Sequence, residues 1–221
     1  MERVPEPELM DGLEQAEVYA AADFAASDQA LVERFHTLFP EGPGEQLLDL
    51  GCGPGNISFR LAERFCAAQV VGMDGAAAML SLAARGLSQR PWLQPRVRFE
   101  QHRLPDPDLT GGFDAVVSNS LLHHLHQPAV LWQAVAQLGC SGACVYVKDL
   151  RRPDSPGAAL ALQRRYLADA PALLQHDYLA SLHAAFTPEE VGHQLEEAGL
   201  ADQLQVAVLE DRYLEVWGRL L

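Results

Sequence analysis

Apolar and polar positions follow one another along the chain in a pattern that predicts strands alternating with helices. Short apolar runs have the length of buried strands, and segments with apolar residues at helical spacing separate most of them. Strands connected by single helices pair in parallel, so the pattern predicts the α/β class. The predicted strands are residues 46–52, 68–74, 96–100, 113–120 and 143–150, and the predicted helices are residues 56–65, 76–85 and 128–138.

Two further helical segments lie outside this alternation. Residues 1–45 are acidic and contain Leu31, Phe35 and Leu38 at helical spacing, which predicts a helical segment that leads into the sheet and caps it. Residues 151–186 follow the fifth strand and are also helix-prone. Because ligands of α/β proteins bind at the carboxyl ends of strands, we expect this insertion to cover an acceptor site as a lid.

The C-terminal part of the chain predicts one more helix and a hairpin. Thr187 and Glu190 have the spacing of a capping box at a helix start, and Gly199 marks the helix end. Residues 204–210 and 212–220 then alternate between apolar and polar positions with about one residue between them. This pattern predicts an antiparallel hairpin that completes the sheet.

Length and composition indicate a single globular domain. With 221 residues, of which 48% are apolar, the chain is long enough for one well-filled core, so we expect one domain over residues 1–221. No apolar run approaches the ~20 residues of a membrane-spanning helix. The acidic N-terminus lacks the pattern of a signal peptide, and we therefore expect a cytoplasmic protein without membrane attachment.

The charge balance argues against nucleic acid as a partner. The chain has 16 basic and 30 acidic residues, a net charge of -14, and this field repels a phosphate backbone. Two arginine pairs could form a local exception or bind an anionic acceptor, although a solvated face or ion pairs with the surplus acids explain them better. The pairs are Arg151 with Arg152 and Arg164 with Arg165.

The stretch LLDLGCGPGN, residues 47–56, places three glycines directly after a predicted strand. A glycine turn between a strand and a helix exposes backbone N–H groups at a pocket and allows a ligand to approach the backbone closely. Gly51, Gly53 and Gly55 follow the spacing G-x-G-x-G, whereas the dinucleotide fingerprint G-x-G-x-x-G requires glycine where Asn56 stands. The spacing disfavours a dinucleotide.

Two aspartates near this turn restrict the ligand further. Asp49 would repel a pyrophosphate but would stabilise a cationic group such as the ammonium of an amino acid. Asp74 ends the second strand and has the position of a carboxylate that binds both ribose hydroxyls. It could also cap the following helix, and one carboxylate can serve both roles. A ligand with a ribose and an ammonium group but no phosphate is S-adenosylmethionine.

Three segments together resemble the successive cofactor motifs of the class I S-adenosylmethionine-dependent methyltransferases. They are LLDLGCGPGN, VVGMDGAAAML and FDAVVSNSLLHHLHQP, within residues 46–150. The resemblance implies a doubly wound, mostly parallel seven-stranded sheet of order 3-2-1-4-5-7-6, with the last strand antiparallel and helices on both faces. It also implies S-adenosylmethionine as the cofactor and S-adenosylhomocysteine as its product.

The same resemblance implies roles for individual residues. Asp49 and Gly51 would hold the methionine end of the cofactor, Gly53 and Gly55 would provide space, Asp74 would bind the ribose, Asn119 would lie beside the methyl group, and Tyr19 would reach over the cofactor. Two departures leave the adenine contacts unassigned. Gly75 and Ala76 replace the D-x-S pattern after Asp74, and His102 or Arg103 stands where an acidic residue is usual.

Clustered histidines follow the fourth strand. His123 and His126 would share one face of a helical turn while His124 points about 100° away, so the segment alone does not predict a metal site. Cys140 and Cys144 are spaced by four rather than as a CxxC pair, and we expect all cysteines to be reduced. One of His123 or His124 is predicted to line the acceptor pocket and to act as a base, with a purely structural pair as the alternative.

The sequence thus predicts transfer of a methyl group from S-adenosylmethionine to a small-molecule acceptor. The acceptor atom and the oligomeric state are left open. A cofactor-binding scaffold or sensor would keep the same loop without turnover, and a nucleotide-dependent oxidoreductase would require glycine at position 56. A basic protein as acceptor is a further alternative, because its binding to this acidic chain would weaken with salt.

Overall fold

The computed structural model describes residues 1–7, 9 and 11–221. Strands and helices alternate as the sequence predicts, with most boundaries shifted by one to three residues. The strands are β1 Gln46–Leu50, β2 Gln69–Asp74, β3 Val97–Gln101, β4 Phe113–Asn119, β5 Gly139–Leu150, β6 Leu204–Leu209 and β7 Tyr213–Arg219. The helices are α1 Leu13–Ala21, α2 Ala25–Leu38, α3 Asn56–Arg64, α4 Ala77–Ser88, α5 Ala129–Leu138, α6 Pro156–Leu167, α7 Ala172–Ala184 and α8 Pro188–Glu197, with a short 3₁₀ helix at Leu122–His124.

The strands form one seven-stranded sheet of order β3-β2-β1-β4-β5-β7-β6. Strands β1 to β5 pair in parallel, and β7 runs antiparallel to both β5 and β6. The predicted strand order and the antiparallel last strand are therefore confirmed. The carboxyl ends of β1, β2, β4 and β5 lie at the same edge of the sheet, since parallel strands end on one side.

Both faces of the sheet are buried, which explains why its central strands appear in the sequence as continuous apolar runs. Leu48 packs on one face, in a cluster with Trp132 of α5. Its neighbour Leu47 packs on the other face, in a cluster with Phe35 of α2 and Tyr146 of β5. Consecutive residues of a strand point to opposite faces, so each run supplies both cores.

The largest boundary difference concerns β5, which begins at Gly139 directly after α5 instead of at residue 143. The added residues accompany a register shift against β4 between Phe113 and Ala115. Gly142 has a φ of +83° at this irregular start. Both nearby cysteines, Cys140 and Cys144, are free thiols, as expected.

The capping box at α8 is present as predicted. The Thr187 hydroxyl accepts a hydrogen bond from the Glu190 N–H at 3.3 Å, and the Glu190 carboxylate accepts one from the Thr187 N–H at 2.9 Å. Gly199 follows the helix with a φ of +70°, a conformation that favours glycine. Local sequence chemistry therefore determines both ends of this helix.

The N-terminal segment crosses the carboxyl edge of the sheet and joins the insertion. The Val4 N–H donates to the backbone oxygen of His183, and the Arg3 guanidinium donates to that of Ala184 at 2.6 Å. Arg3 also stacks on the Phe186 ring, 4.0 Å from its centroid. These contacts hold residues 1–7 between the end of α7 and the sheet edge. Among the described residues, no helix is long and apolar enough to span a membrane.

Candidate active site

A cavity of about 220 Å³ lies at the carboxyl edge of the sheet. Its walls come from the loops after β1, β2 and β4, from α1 and the N-terminal segment, and from α7 of the insertion. The predicted site residues that line it are Tyr19, Asp49, Gly51, Gly53, Asp74, Asn119, His123 and His124. The fold thus collects candidates from three separate sequence motifs and α1 around one space.

The three glycines after β1 all have positive φ angles but differ in their surroundings. A Cβ built on Gly53 meets nothing within 4 Å, so the backbone of this residue faces open cavity. A Cβ on Gly51 would lie 2.9 Å from Leu121, and one on Gly55 would lie 2.7 Å from the Phe99 ring. Among the described residues Gly55 is not part of the cavity wall. Its space is needed for packing and not, as expected, for a ligand.

Asp49 is a buried carboxyl group in the cavity wall, with 1% of its surface exposed. The Ser58 hydroxyl of α3 donates a hydrogen bond to it at 2.5 Å. Burial raises the pKa of Asp49 to about 7, while the hydrogen bond from Ser58 acts in the opposite direction. A cationic ligand group beside Asp49 would stabilise its ionised form.

Asp74 joins two backbone segments at the end of β2. One carboxylate oxygen accepts a hydrogen bond from the Gly53 N–H and the other from the Ala76 N–H, both at 2.8 Å. The N-cap residue of α4 is Ala76 and no side chain caps this helix, so the bond from Asp74 orders the turn before α4 and is not a helix cap. Each carboxylate oxygen keeps a second acceptor position, so Asp74 can organise the glycine turn and also accept hydroxyl groups from a ligand.

Asn119 and Tyr19 both line the cavity. Asn119 is the last residue of β4, and the following Ser120 has a φ of +57°, which turns the chain sharply at the cavity. Sequence reasoning missed Ser120, because nothing in its local pattern signals a left-handed conformation. Tyr19 of α1 stacks on Phe24 with a centroid distance of 5.0 Å. Burial raises its pKa, so its hydroxyl stays protonated.

His123 is held by a buried carboxylate at the end of β5. Its Nδ1 lies 2.5 Å from one oxygen of Asp149, whose other oxygen accepts the Leu122 N–H at 2.8 Å. Burial lowers the pKa of His123, but the charge of Asp149 and its hydrogen bond raise it by more, so the net shift is upward. The His124 ring lies 4.2 Å from the His123 ring, and burial lowers its pKa well below the usual value.

Glu6 is the site residue that sequence reasoning missed. Its Oε1 lies 3.5 Å from His123 Nε2 and 3.2 Å from His124 Nδ1, and it accepts a hydrogen bond from the Ser181 hydroxyl. Arg3 positions this segment by donating to the backbone oxygens of His123 and Leu125. No local motif surrounds Glu6, so only the tertiary contacts reveal it.

One arginine of each pair in the insertion forms an ion pair with an acidic residue. Arg152 bonds to Glu190 at 2.5 Å, and Arg165 bonds to Asp211 at 2.6 Å. Arg151 donates to the backbone oxygen of Asp211, and within the described chain neither pair lines the cavity. The arginine that lines it next to the insertion is Arg212, whose guanidinium lies 3.6 Å from the Tyr166 ring centroid.

Comparison with known proteins agrees with this geometry. Residues 48–145 match the sequence model of the family described as Methyltransferase domain. The chain is 39% identical over 114 residues to trans-aconitate 2-methyltransferase of Deinococcus radiodurans, covering 50% of this chain and 41% of the relative. It is 30% identical over 159 residues to ubiquinone biosynthesis O-methyltransferase of Aeromonas salmonicida, covering 71% of this chain and 63% of that protein. The chain therefore spans less than two thirds of the length of these relatives.

The fold itself recurs in a solved structure of low sequence identity. A SAM dependent methyltransferase from Aquifex aeolicus superposes with a TM-score of 0.67 at 15% identity, covering 93% of this chain and 98% of that one. The matched domain includes the glycine turn and Asp74, and the strand order is the one that the motifs implied. Residues 48–145 therefore form a methyltransferase domain, and the chain has the fold of the class I S-adenosylmethionine-dependent methyltransferases.

Proposed function

We propose that the protein binds S-adenosylmethionine in this cavity and transfers its methyl group to a small-molecule acceptor. The observation that carries the proposal is the juxtaposition of Asp49, Asp74 and the open backbone of Gly53 in one cavity wall. This wall offers carboxylates to an ammonium group and to ribose hydroxyls. It offers two negative charges to a pyrophosphate, which argues against a dinucleotide.

The residues of the cavity fit the cofactor by their chemistry. Asp49 would hold the ammonium group, Asp74 the ribose hydroxyls, and the turn at Gly51 and Gly53 would lie against the ligand. When bound, the cofactor supplies a methyl group that its sulfonium already activates for in-line displacement. The remaining work of the protein is alignment, which can lower a barrier by roughly 7 to 11 kcal/mol.

A small acceptor agrees with the shape of the site. Helices α1 and α7 and the N-terminal segment close over the cavity, and we infer that they act as a lid that excludes water during transfer. His123 and His124 are our candidates for the groups that activate the acceptor. A basic protein as acceptor remains the alternative, and binding that weakens sharply with salt would indicate it.

The proposal is tested by calorimetric titration of the purified chain with S-adenosylhomocysteine, with NADH as a parallel ligand. We expect saturable binding of S-adenosylhomocysteine at one site in the micromolar range and no heat of binding with NADH. Binding of NADH alone would favour an oxidoreductase. A folded sample that binds neither ligand would contradict the proposal.

Binding of the cofactor is expected to depend on pH through Asp49. Its carboxyl group has a pKa of about 7 in the free protein, and only the ionised form attracts an ammonium group. Affinity for S-adenosylhomocysteine should therefore rise about tenfold per pH unit below pH 7 and level off above it. Calorimetry between pH 5.5 and pH 8.5 measures this slope, with the pH range set around the pKa of about 7.

Two variants separate Asp49 from Asp28 and Asp74, whose pKa values burial also raises. Asp49→Asn should bind weakly and with a flat pH profile. Ser58→Ala should move the midpoint to higher pH, because the Ser58 hydrogen bond favours the ionised carboxylate. Since burial raises the folded pKa, wild-type stability should fall as pH rises from about 4 to 7, and Asp49→Asn should lose this part of the dependence. An unchanged profile in Asp49→Asn would assign the titration to another group.

A further inference from the structure

Three potential metal ligands converge at the acceptor end of the cavity. Within the part of the chain that the structure describes, Glu6, His123 and His124 are the group of metal-ligating side chains whose ligand atoms all lie within 4.8 Å of one another. All three residues line the cavity. The cluster joins the N-terminal segment to the turn after β4, so no sequence motif contains it.

The hydrogen bonds of the two histidines decide which nitrogen faces the cluster. His123 Nδ1 contacts the Asp149 carboxylate, an acceptor, and therefore carries the ring proton. The buried Nδ1 of His124 makes no hydrogen bond to a described residue, so a proton on it would be unpaired. The proton of His124 is thus on Nε2. In their neutral forms both rings place an unprotonated nitrogen beside the Glu6 carboxylate.

Carboxylate oxygens and unprotonated ring nitrogens at hydrogen-bonding distance repel one another unless a cation lies between them. A proton can bridge one such pair, whereas a metal ion can satisfy all three atoms. The Glu6 Oε1 distances of 3.5 Å to His123 Nε2 and 3.2 Å to His124 Nδ1 resemble the edge of about 3.4 Å of a tetrahedron with 2.0–2.1 Å metal bonds. We propose that Glu6, His123 and His124 bind a divalent transition-metal ion of the zinc type.

The surroundings of the cluster suit such an ion. The Asp149 carboxylate contacts His123 Nδ1 and orients the ring. Metal-bound histidines usually have such a carboxylate partner on the nitrogen that does not bind the metal. Ser181 donates to Glu6 and fixes its carboxylate. Two imidazoles and one carboxylate are the ligand set of zinc and of mononuclear iron sites that keep a coordination position open.

This inference rests on the proposed function and specifies its acceptor. The open position would face the cavity and would bind an oxygen of the acceptor, either a hydroxyl, whose proton the ion makes easier to lose to solvent, or a carboxylate. The acceptor oxygen then forms the bond to the methyl carbon, and the electron pair of the broken carbon–sulfur bond stays on sulfur. With the ion bound, the histidines activate the acceptor through the metal and not as free bases.

The test uses the full chain after treatment with EDTA and dialysis. Calorimetric titration with Zn²⁺ should show one equivalent bound, and Co²⁺ should produce the visible absorption bands of low-symmetry coordination. Glu6→Gln and His124→Ala should weaken Zn²⁺ binding at least tenfold. His193→Ala is the matched control, because it removes an exposed imidazole 3.2 Å from the carboxylate of Glu196 and should bind Zn²⁺ like the wild type.

Thermal unfolding of each variant shows whether it is folded, and titration with S-adenosylhomocysteine runs in parallel. The inference is overturned if the folded wild type binds no Zn²⁺, or if Glu6→Gln and His124→Ala bind it as tightly as His193→Ala does. Intact binding of S-adenosylhomocysteine in that case leaves the proposed methyltransferase function standing. The two proposals can therefore fail separately.

Discussion

Replacing Asp74 with alanine is expected to weaken binding of S-adenosylhomocysteine at least 100-fold. The variant loses the carboxylate that would accept the ribose hydroxyls, and each hydrogen bond to a charged group contributes roughly 1.5–3 kcal/mol. It also loses the two backbone bonds that hold Gly53 and Ala76 in place. Two lost ligand bonds amount to a factor of about 100 or more in the dissociation constant. Calorimetry measures the change.

A matched control separates the ligand contacts from the structural ones. The Asp114 carboxylate accepts two backbone N–H groups, from Glu45 and Gln46, at 2.8 and 2.9 Å. It lies at the start of β4, at the opposite edge of the sheet from the cavity. Asp114→Ala should lose a similar amount of stability in urea unfolding but bind S-adenosylhomocysteine normally. Wild-type affinity in folded Asp74→Ala would remove Asp74 from the cofactor site.

The second large effect is expected for the histidine pair. Replacing His123 and His124 together with alanine should lower methyl transfer by a factor of about 100 to 10,000, the usual range for loss of an acid–base group. Binding of S-adenosylhomocysteine should be retained, because the carboxylates expected to hold the cofactor, Asp49 and Asp74, belong to β1 and β2 and not to the histidine turn. Single-turnover assays with an acceptor found by screening hydroxyl and carboxylate compounds measure the loss.

The control for this double variant replaces two exposed histidines, His176 of α7 and His193 of α8, with alanine. This control variant also lacks two imidazoles, and it should transfer the methyl group at the wild-type rate. Turnover that persists in His123→Ala/His124→Ala would show that the pair is structural. Repeating the wild-type assay after EDTA treatment separates the two roles of the pair, because activity that survives chelation belongs to the imidazoles alone.

Local patterns in the amino-acid sequence predict most of the fold. The strands β1, β2 and β4 are apolar runs that end in turn residues, and such runs are buried on both faces in any parallel sheet. The capping box of α8 involves residues only three positions apart, so it forms from local chemistry. The start of β5 at Gly139 was missed because its register depends on β4 and not on its own apolar pattern.

The residues proposed to bind the cofactor could also be predicted from the sequence, because they lie at strand ends whose order the motifs imply. Asp49, Gly53 and Asp74 come together wherever β1 and β2 pair in parallel. The packing role of Gly55 was not visible, since the aromatic ring that fills its space belongs to Phe99 of β3. A glycine in a motif does not reveal whether ligand or protein occupies the space beside it.

By itself, then, the sequence determined the alternation of elements, the strand order and the carboxylates beside the glycine turn. Each of these depends on residues that are close in the chain or on strand ends that share an edge. Only the tertiary structure decided the proposed acceptor side, where Glu6, His123 and Asp149 meet from three distant segments. Such contacts produce no periodic pattern in the sequence, because the fold of the whole chain, and not the neighbouring residues, brings each side chain to the site.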